Sequence, residues 1–142
     1  MPDITNTTGV SAGRVPSLVV RREVINFARI GLGSDVNLTE NGLKLYGERL
    51  LSSIITSAGN SKVVILGLND IGGIDPNGVR FLQRLQTQLR FHRKGLVIQC
   101  SDNPLVLATL EQSAGSLNYV ISDEKEAMAL ATRLSRTNGQ AA

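Results

Sequence analysis

Few residues in this 142-residue chain have side chains able to do bond-making chemistry. It carries one cysteine, Cys100, and one histidine, His92. A protein-only transition-metal site usually needs several nitrogen and sulfur ligands, so no metal is expected. No serine stands in a nucleophile elbow or beside a recognisable His and Asp partner. The most informative segment starts at Asn69 and contains Gly72-Gly73-Ile74-Asp75-Pro76-Asn77-Gly78. It opens a helix, whose free N–H groups and dipole favour an anion or an acceptor there. It lacks the Gly-x-x-x-x-Gly-Lys-Ser/Thr pattern of a P-loop and the Gly-x-Gly-x-x-Gly of a dinucleotide site. Asp75 is the only carboxylate close to the helix start, and with Pro76 after it the pair reads as a helix cap and first turn. His92, at the far end of the same helix, suits a surface interaction with the helix dipole. Cys100 ends an apolar run and reads as a small buried hydrophobe. Neither an enzyme nor a cofactor is expected from these residues.

Composition narrows the classes further. The hydrophobic fraction is 42% and the charged fraction 19%, values of a folded globular chain the size of one domain. No apolar run is long enough to span a bilayer, and the start, Met-Pro-Asp-Ile-Thr, has no signal-peptide pattern. A lone cysteine cannot form an intramolecular disulfide, so a cytoplasmic protein is expected. The net charge of +3 comes from scattered basic residues, there is no tryptophan, and Phe27, Tyr46, Phe81, Phe91 and Tyr119 are dispersed. That gives no platform for stacking bases, and no nucleic-acid partner is expected.

The remaining pattern alternates strands and helices. Residues 1–16 show no apolar periodicity and read as a flexible leader, residues 137–142 as a flexible tail, and residues 17–136 as the domain. Leu18 to Arg22 and Val24 to Ile30 are β-rich and form either a hairpin or one bent strand. Thr39 is the expected cap of a helix with Leu43, Tyr46, Leu50, Leu51, Ile54 and Ile55 on one stripe, stopped at Gly59-Asn60. Val63 to Leu66 and Leu96 to Cys100 are continuous apolar runs, typical of strands covered on both faces. The helix between them buries Val79, Leu82, Leu85 and Leu89, turns Arg80 and Arg84 outward, and is expected to end at Gly95. Ser101 or Asp102 should cap a third helix, with Pro104 in its first turn and Gly115 closing it. Asn118 to Ile121 is a short strand, and Asp123 with Glu126 is a capping box for a last helix buried through Ala127, Leu130, Ala131 and Leu134. Repeated strand–helix units predict an α/β fold with a mixed, mostly parallel sheet and about four helices. Sites in such sheets gather at the strand C-termini.

The run Val63 to Leu68, then Ile74-Asp75-Pro76-Asn77-Gly78, resembles the core of STAS domains, the anti-sigma-factor antagonists and related regulatory modules. Element order from Leu18 to Leu134 fits, and Asn103-Pro104 stands where members often carry Asn-Pro or Ser-Pro. The resemblance implies a non-catalytic module in a partner-switching pathway, binding an anti-sigma factor or switch-type kinase. The binding face it implies comprises Asp75, Pro76, Asn77, Gly78, Arg80 and Arg84, with Asp35 and Ser101 on the adjoining loops. STAS modules also serve as regulatory subunits of ABC-type membrane transport complexes, and some bind small ligands or nucleotides. Two departures are specific. The residue after the loop aspartate, commonly a phosphorylated serine or threonine, is Pro76, and the aspartate that usually ends the central strand is Gly67. No hydroxyl lies between Gly72 and Gly78, so no phosphorylation is expected there.

Overall fold

An apolar run such as Val63-Val64-Ile65-Leu66 needs cover on both faces, and only the middle of a layered sheet supplies it. A computed structural model of the chain, describing residues 18–22, 27–113 and 115–136, places the run there. Strands β1 (Leu18–Arg22), β2 (Phe27–Leu32), β4 (Val63–Gly67), β6 (Gly95–Gln99) and β7 (Val120–Ile121) form one sheet in the order β1-β2-β4-β6-β7. β1 runs antiparallel to β2, so the first two runs are separate paired strands rather than one bent one. The other pairings are parallel. The expected leader and tail lie outside the described residues.

Strand alternation divides the core. Val64, Leu66, Leu96 and Ile98 point to one side and join the larger apolar cluster with helices α1 (Glu40–Ala58) and α2 (Pro76–Phe91). Leu50, Ile54, Leu82, Leu85 and Leu89 are fully buried there. Val63, Ile65 and Val97 point to the other side, where helix α4 (Glu124–Ser135) covers them with Ala127, Leu130, Ala131 and Leu134. Helix α3 (Pro104–Gln112) connects β6 to β7. No helix among the described residues is long and apolar enough to cross a membrane.

Several boundaries differ from the sequence expectation, each for a local reason. Two-residue strands β3 (Asn37–Leu38) and β5 (Gly73–Ile74) pair in parallel inside segments that read as loops; two residues are too short to show a period. Helix α3 is capped by Asn103, whose side chain accepts from the Val106 N–H, and not by Ser101 or Asp102. Pro104 occupies the first helical position, which makes its predecessor the cap. The same helix closes at Ser113, ahead of Gly115. Helix α2 stops before Gly95, with His92 as its last half-turn and Arg93 in the left-handed region at φ 60°. The Lys94 N–H donates to the Leu89 carbonyl (2.9 Å) and the Arg93 N–H to the Arg90 carbonyl (2.9 Å). This is the Schellman pattern with arginine where glycine is the relaxed choice.

A non-glycine residue in that region costs about 1–2 kcal/mol, partly offset because glycine loses more entropy on folding. Arg93→Gly should therefore stabilise the fold by roughly 0.5–1 kcal/mol in urea denaturation. An unchanged or lower midpoint would show that the Arg93 side chain contributes packing that offsets its backbone strain.

Candidate functional site

Because the parallel strands share one direction and the helices return, the C-terminal strand ends and the helix starts lie at the same end of the molecule. The three loops singled out from the sequence meet there. The Gly72 N–H donates to the Val36 carbonyl (2.8 Å) and the Asp75 N–H to the Leu38 carbonyl (3.1 Å), sewing the first loop to the second. Asn69 joins the second to the third: its Oδ1 accepts from the N–H groups of Ser101 (2.6 Å) and Asp102 (3.0 Å). Asn103 Nδ2 returns the link by donating to the Ile71 carbonyl (3.2 Å). In the sequence Asn69 marks only the start of the loop, a side-chain amide two residues beyond the end of β4.

Asp75 is the centre of this arrangement. Its Oδ1 accepts from the N–H groups of Asn77 (2.8 Å) and Gly78 (3.1 Å) in the first turn of α2. Its Oδ2 accepts from the N–H of Glu40 (3.0 Å), the first residue of α1. One carboxylate thus satisfies orphan donors of two helices, where the sequence suggested a cap for one. Burial pushes its pKa up, but the hydrogen bonds from Glu40, Gly78 and Asn77 together outweigh that and hold the carboxyl below the ordinary aspartate value. Thr39, the expected cap, adds a longer bond to the Gly42 N–H (3.4 Å).

The helix starts approach the backbone of β3 closely. A Cβ built on Gly78 would lie 2.0 Å from the Leu38 carbonyl oxygen, and one on Gly42 2.2 Å from that of Asn37. No side chain fits at either position without displacing backbone. The Tyr46 hydroxyl reinforces the corner, accepting from the Asn37 N–H (2.6 Å) and donating to the Asn37 carbonyl (3.1 Å).

The other site residues take distinct places. Pro76 and Arg80 are exposed, Asn77 is half-buried, and Gly78 is buried. Arg80 donates to the Asn77 Oδ1 (2.7 Å). Arg84 forks onto Glu48 of α1, one of its two bonds being 3.0 Å. Asp35 and Ser101 are exposed on the flanking loops. Leu105, absent from the sequence-based set, stands 83% exposed in the first turn of α3 on the same end. Cys100 is fully buried with its thiol against the Asn103 carbonyl (3.6 Å), and burial pushes its pKa up, as expected of an inert thiol. On the α4 side, the facing glycines Gly31 and Gly67 leave a hollow of about 300 Å³, bordered by Gln99, Met128 and the Arg29–Glu124 ion pair. Among the described residues no His, Cys, Asp and Glu side chains group as a metal site. The arrangement offers a hydrogen-bonded surface built from three loops.

Three outcomes check this geometry. Asp75→Ala should cost about 2 kcal/mol, the upper range for a cap, because two helix starts lose an acceptor. Asp75 also contributes a pH-dependent term. A depressed carboxyl stabilises fully above its unfolded pKa of about 4, and the contribution disappears as pH falls through the lower folded value. Wild type minus Asp75→Asn stability, followed by urea denaturation from neutral pH downward, should shrink only in that acid window. Gly78→Ala should cost about 1–3 kcal/mol through the clash with Leu38, although alanine favours helices.

No family model and no curated protein matches the sequence. Solved structures do match. One is the anti-sigma factor antagonist SpoIIAA in its unphosphorylated form, 14% identical, covering 87% of this chain and 100% of that one, with a TM-score of 0.49. Another is the Bacillus cell fate determinant SpoIIAA in the phosphorylated form, also 14% identical, covering 80% of this chain and 98% of that one, with a TM-score of 0.51. The α/β fold expected from the sequence resemblance is therefore the fold observed, shared with SpoIIAA across most of the chain.

Proposed function

We propose that this chain is a non-catalytic, cytoplasmic protein-binding module of the anti-sigma-factor-antagonist kind, acting in partner switching. Its partner is an anti-sigma factor or switch-type kinase. The observation that carries the reading is the loop opening α2. The Asp75 carboxylate is engaged by three backbone N–H groups, which ties the loop to both helix starts and commits that carboxylate to holding structure. What it presents is Pro76, the Asn77–Arg80 pair and, from a neighbouring helix, the exposed Leu105. Pre-ordered surface of mixed polar and apolar character suits protein recognition. The adjoining Arg84, Asp35 and Ser101 complete the proposed face. The fold shared with SpoIIAA supports the assignment, and that protein exists in phosphorylated and unphosphorylated forms. Here Pro76 stands where the resemblance places the acceptor, so release of the partner does not run through phosphorylation of residues 72–78.

Calorimetric titration with candidate anti-sigma factors and switch-type kinases from the same organism tests the proposal. Arg80→Gln with Leu105→Ser should weaken binding roughly tenfold and flatten its salt dependence, with the melting temperature nearly unchanged. Incubation with kinase and ATP should leave the 72–78 peptide unmodified by mass and binding intact. Full-strength binding by the double variant would place the interface elsewhere, and phosphate on that peptide would overturn the second half.

A further inference from the structure

We propose that the opposite end of the molecule is a second docking surface, for an acidic protein segment carrying a bulky apolar side chain. It is independent of the Asp75 face. A surface groove of about 760 Å³ lies between the start of β4 and the end of α2, lined by Lys62, Arg90, Phe91, His92, Arg93 and Lys94. Arg29, Lys44 and Arg84 each pair with a glutamate elsewhere on the protein. The guanidinium groups of Arg90 and Arg93 meet no carboxylate among the described residues. Lys94 braces the groove by donating to the Gly59 (2.7 Å) and Ser61 (2.6 Å) carbonyls.

A helix dipole accounts for a basic residue in the last turn, and Arg90 alone would need nothing more. It does not account for two neighbouring features. Phe91 is 78% exposed between the charged groups, against the usual fate of a large aromatic. Arg93 occupies a left-handed backbone position that glycine would fill without strain, and its side chain is carried at the groove because of it. Two guanidinium forks beside an aromatic face match carboxylates flanking an apolar anchor. A concave surface is a poor match for a flat bilayer, and one aromatic does not make a stacking platform for single-stranded nucleic acid.

The test is fluorescence anisotropy of a labelled peptide, Glu-Glu-Asp-Phe-Asp-Glu-Glu, with the intact protein at low and physiological salt. Binding that weakens with salt is expected. Arg90→Gln with Arg93→Asn, asparagine tolerating the left-handed backbone, should weaken it about tenfold and Phe91→Ser several-fold. Arg49→Gln with Lys125→Gln removes the same charge elsewhere and should change little. A peptide with serine for phenylalanine, or amides for its acids, should lose affinity against the unaltered protein, whatever the stability of the variants. Equal affinity for all peptides, or equal loss in both double variants, overturns the proposal. So does stronger Arg90/Arg93-dependent binding to phosphatidylserine vesicles or to a single-stranded oligonucleotide. None of these readouts involves the Asp75 face, so either surface can fail alone.

Discussion

A single carboxylate between two helix starts organises the loop end of this protein. Each helix exposes N–H groups in its first turn that need acceptors, and Asp75 supplies one oxygen to α2 and the other to α1. The arrangement requires the helices to begin side by side, which in turn requires both to approach the β3 backbone without side chains at Gly42 and Gly78. The two-residue pairing of β3 with β5 sets that distance. Remove the carboxylate and the corner loses its common acceptor. Add a methyl group at Gly78 and the same corner is forced apart. The Arg84–Glu48 pair then ties the two helices further along their length, at a surface position where such a pair contributes little by itself.

The sequence was most legible where a physical pattern is long or chemically specific. The buried stripes of α1, α2 and α4, the apolar β4 and β6, and the caps Thr39, Asp75 and Asp123 all follow from periodicity and capping chemistry. The resemblance to STAS domains rested on element order, and the fold agrees with it. What escaped was determined by tertiary geometry. Nothing in the string Asn37-Leu38 marks it as a strand, since its partner lies far along the chain. The second role of Asp75 depends on where α1 begins, which α2's own sequence does not encode. Arg93 defeated the rule that helices end at glycine, because the chain turns into β6 two residues before Gly95. Asn69 gives no periodic signal, yet its Oδ1 receives two N–H groups of another loop.

The direction of the elements also sorts charge. Asp35, Glu40, Asp70, Asp75, Asp102 and Asp123 belong to loops and helix starts at one end. Among the described residues, Lys62, Arg90, Arg93, Lys94, Arg133 and Arg136 belong to helix ends and strand starts at the other, where Glu111 runs against the pattern, as Lys44, Arg80 and Lys125 do near the helix starts. The placements in helix first and last turns mostly agree with the helix dipole, so part of the separation follows from local stabilisation of individual helices. A modest net charge of +3 therefore coexists, among the described residues, with acidic groups gathered mainly at one end and basic groups mainly at the other.

The two faces of the sheet are also unequal. Among the described residues the α1–α2 side holds twenty-two buried members in its cluster, and the α4 side eight. Helix α4 follows a strand of only two residues, and one polar link from it to the sheet is the surface Arg29–Glu124 pair. Such a layer is suited to open as a unit while the rest stays folded, and its amides should exchange with solvent earlier than those of β4 and β6. When it lifts, Val63, Ile65 and Val97 become a bare apolar strip across adjacent strands. The α4 side is thus the less extensively buried layer, and damage that favours its partial opening would bring self-association through that strip.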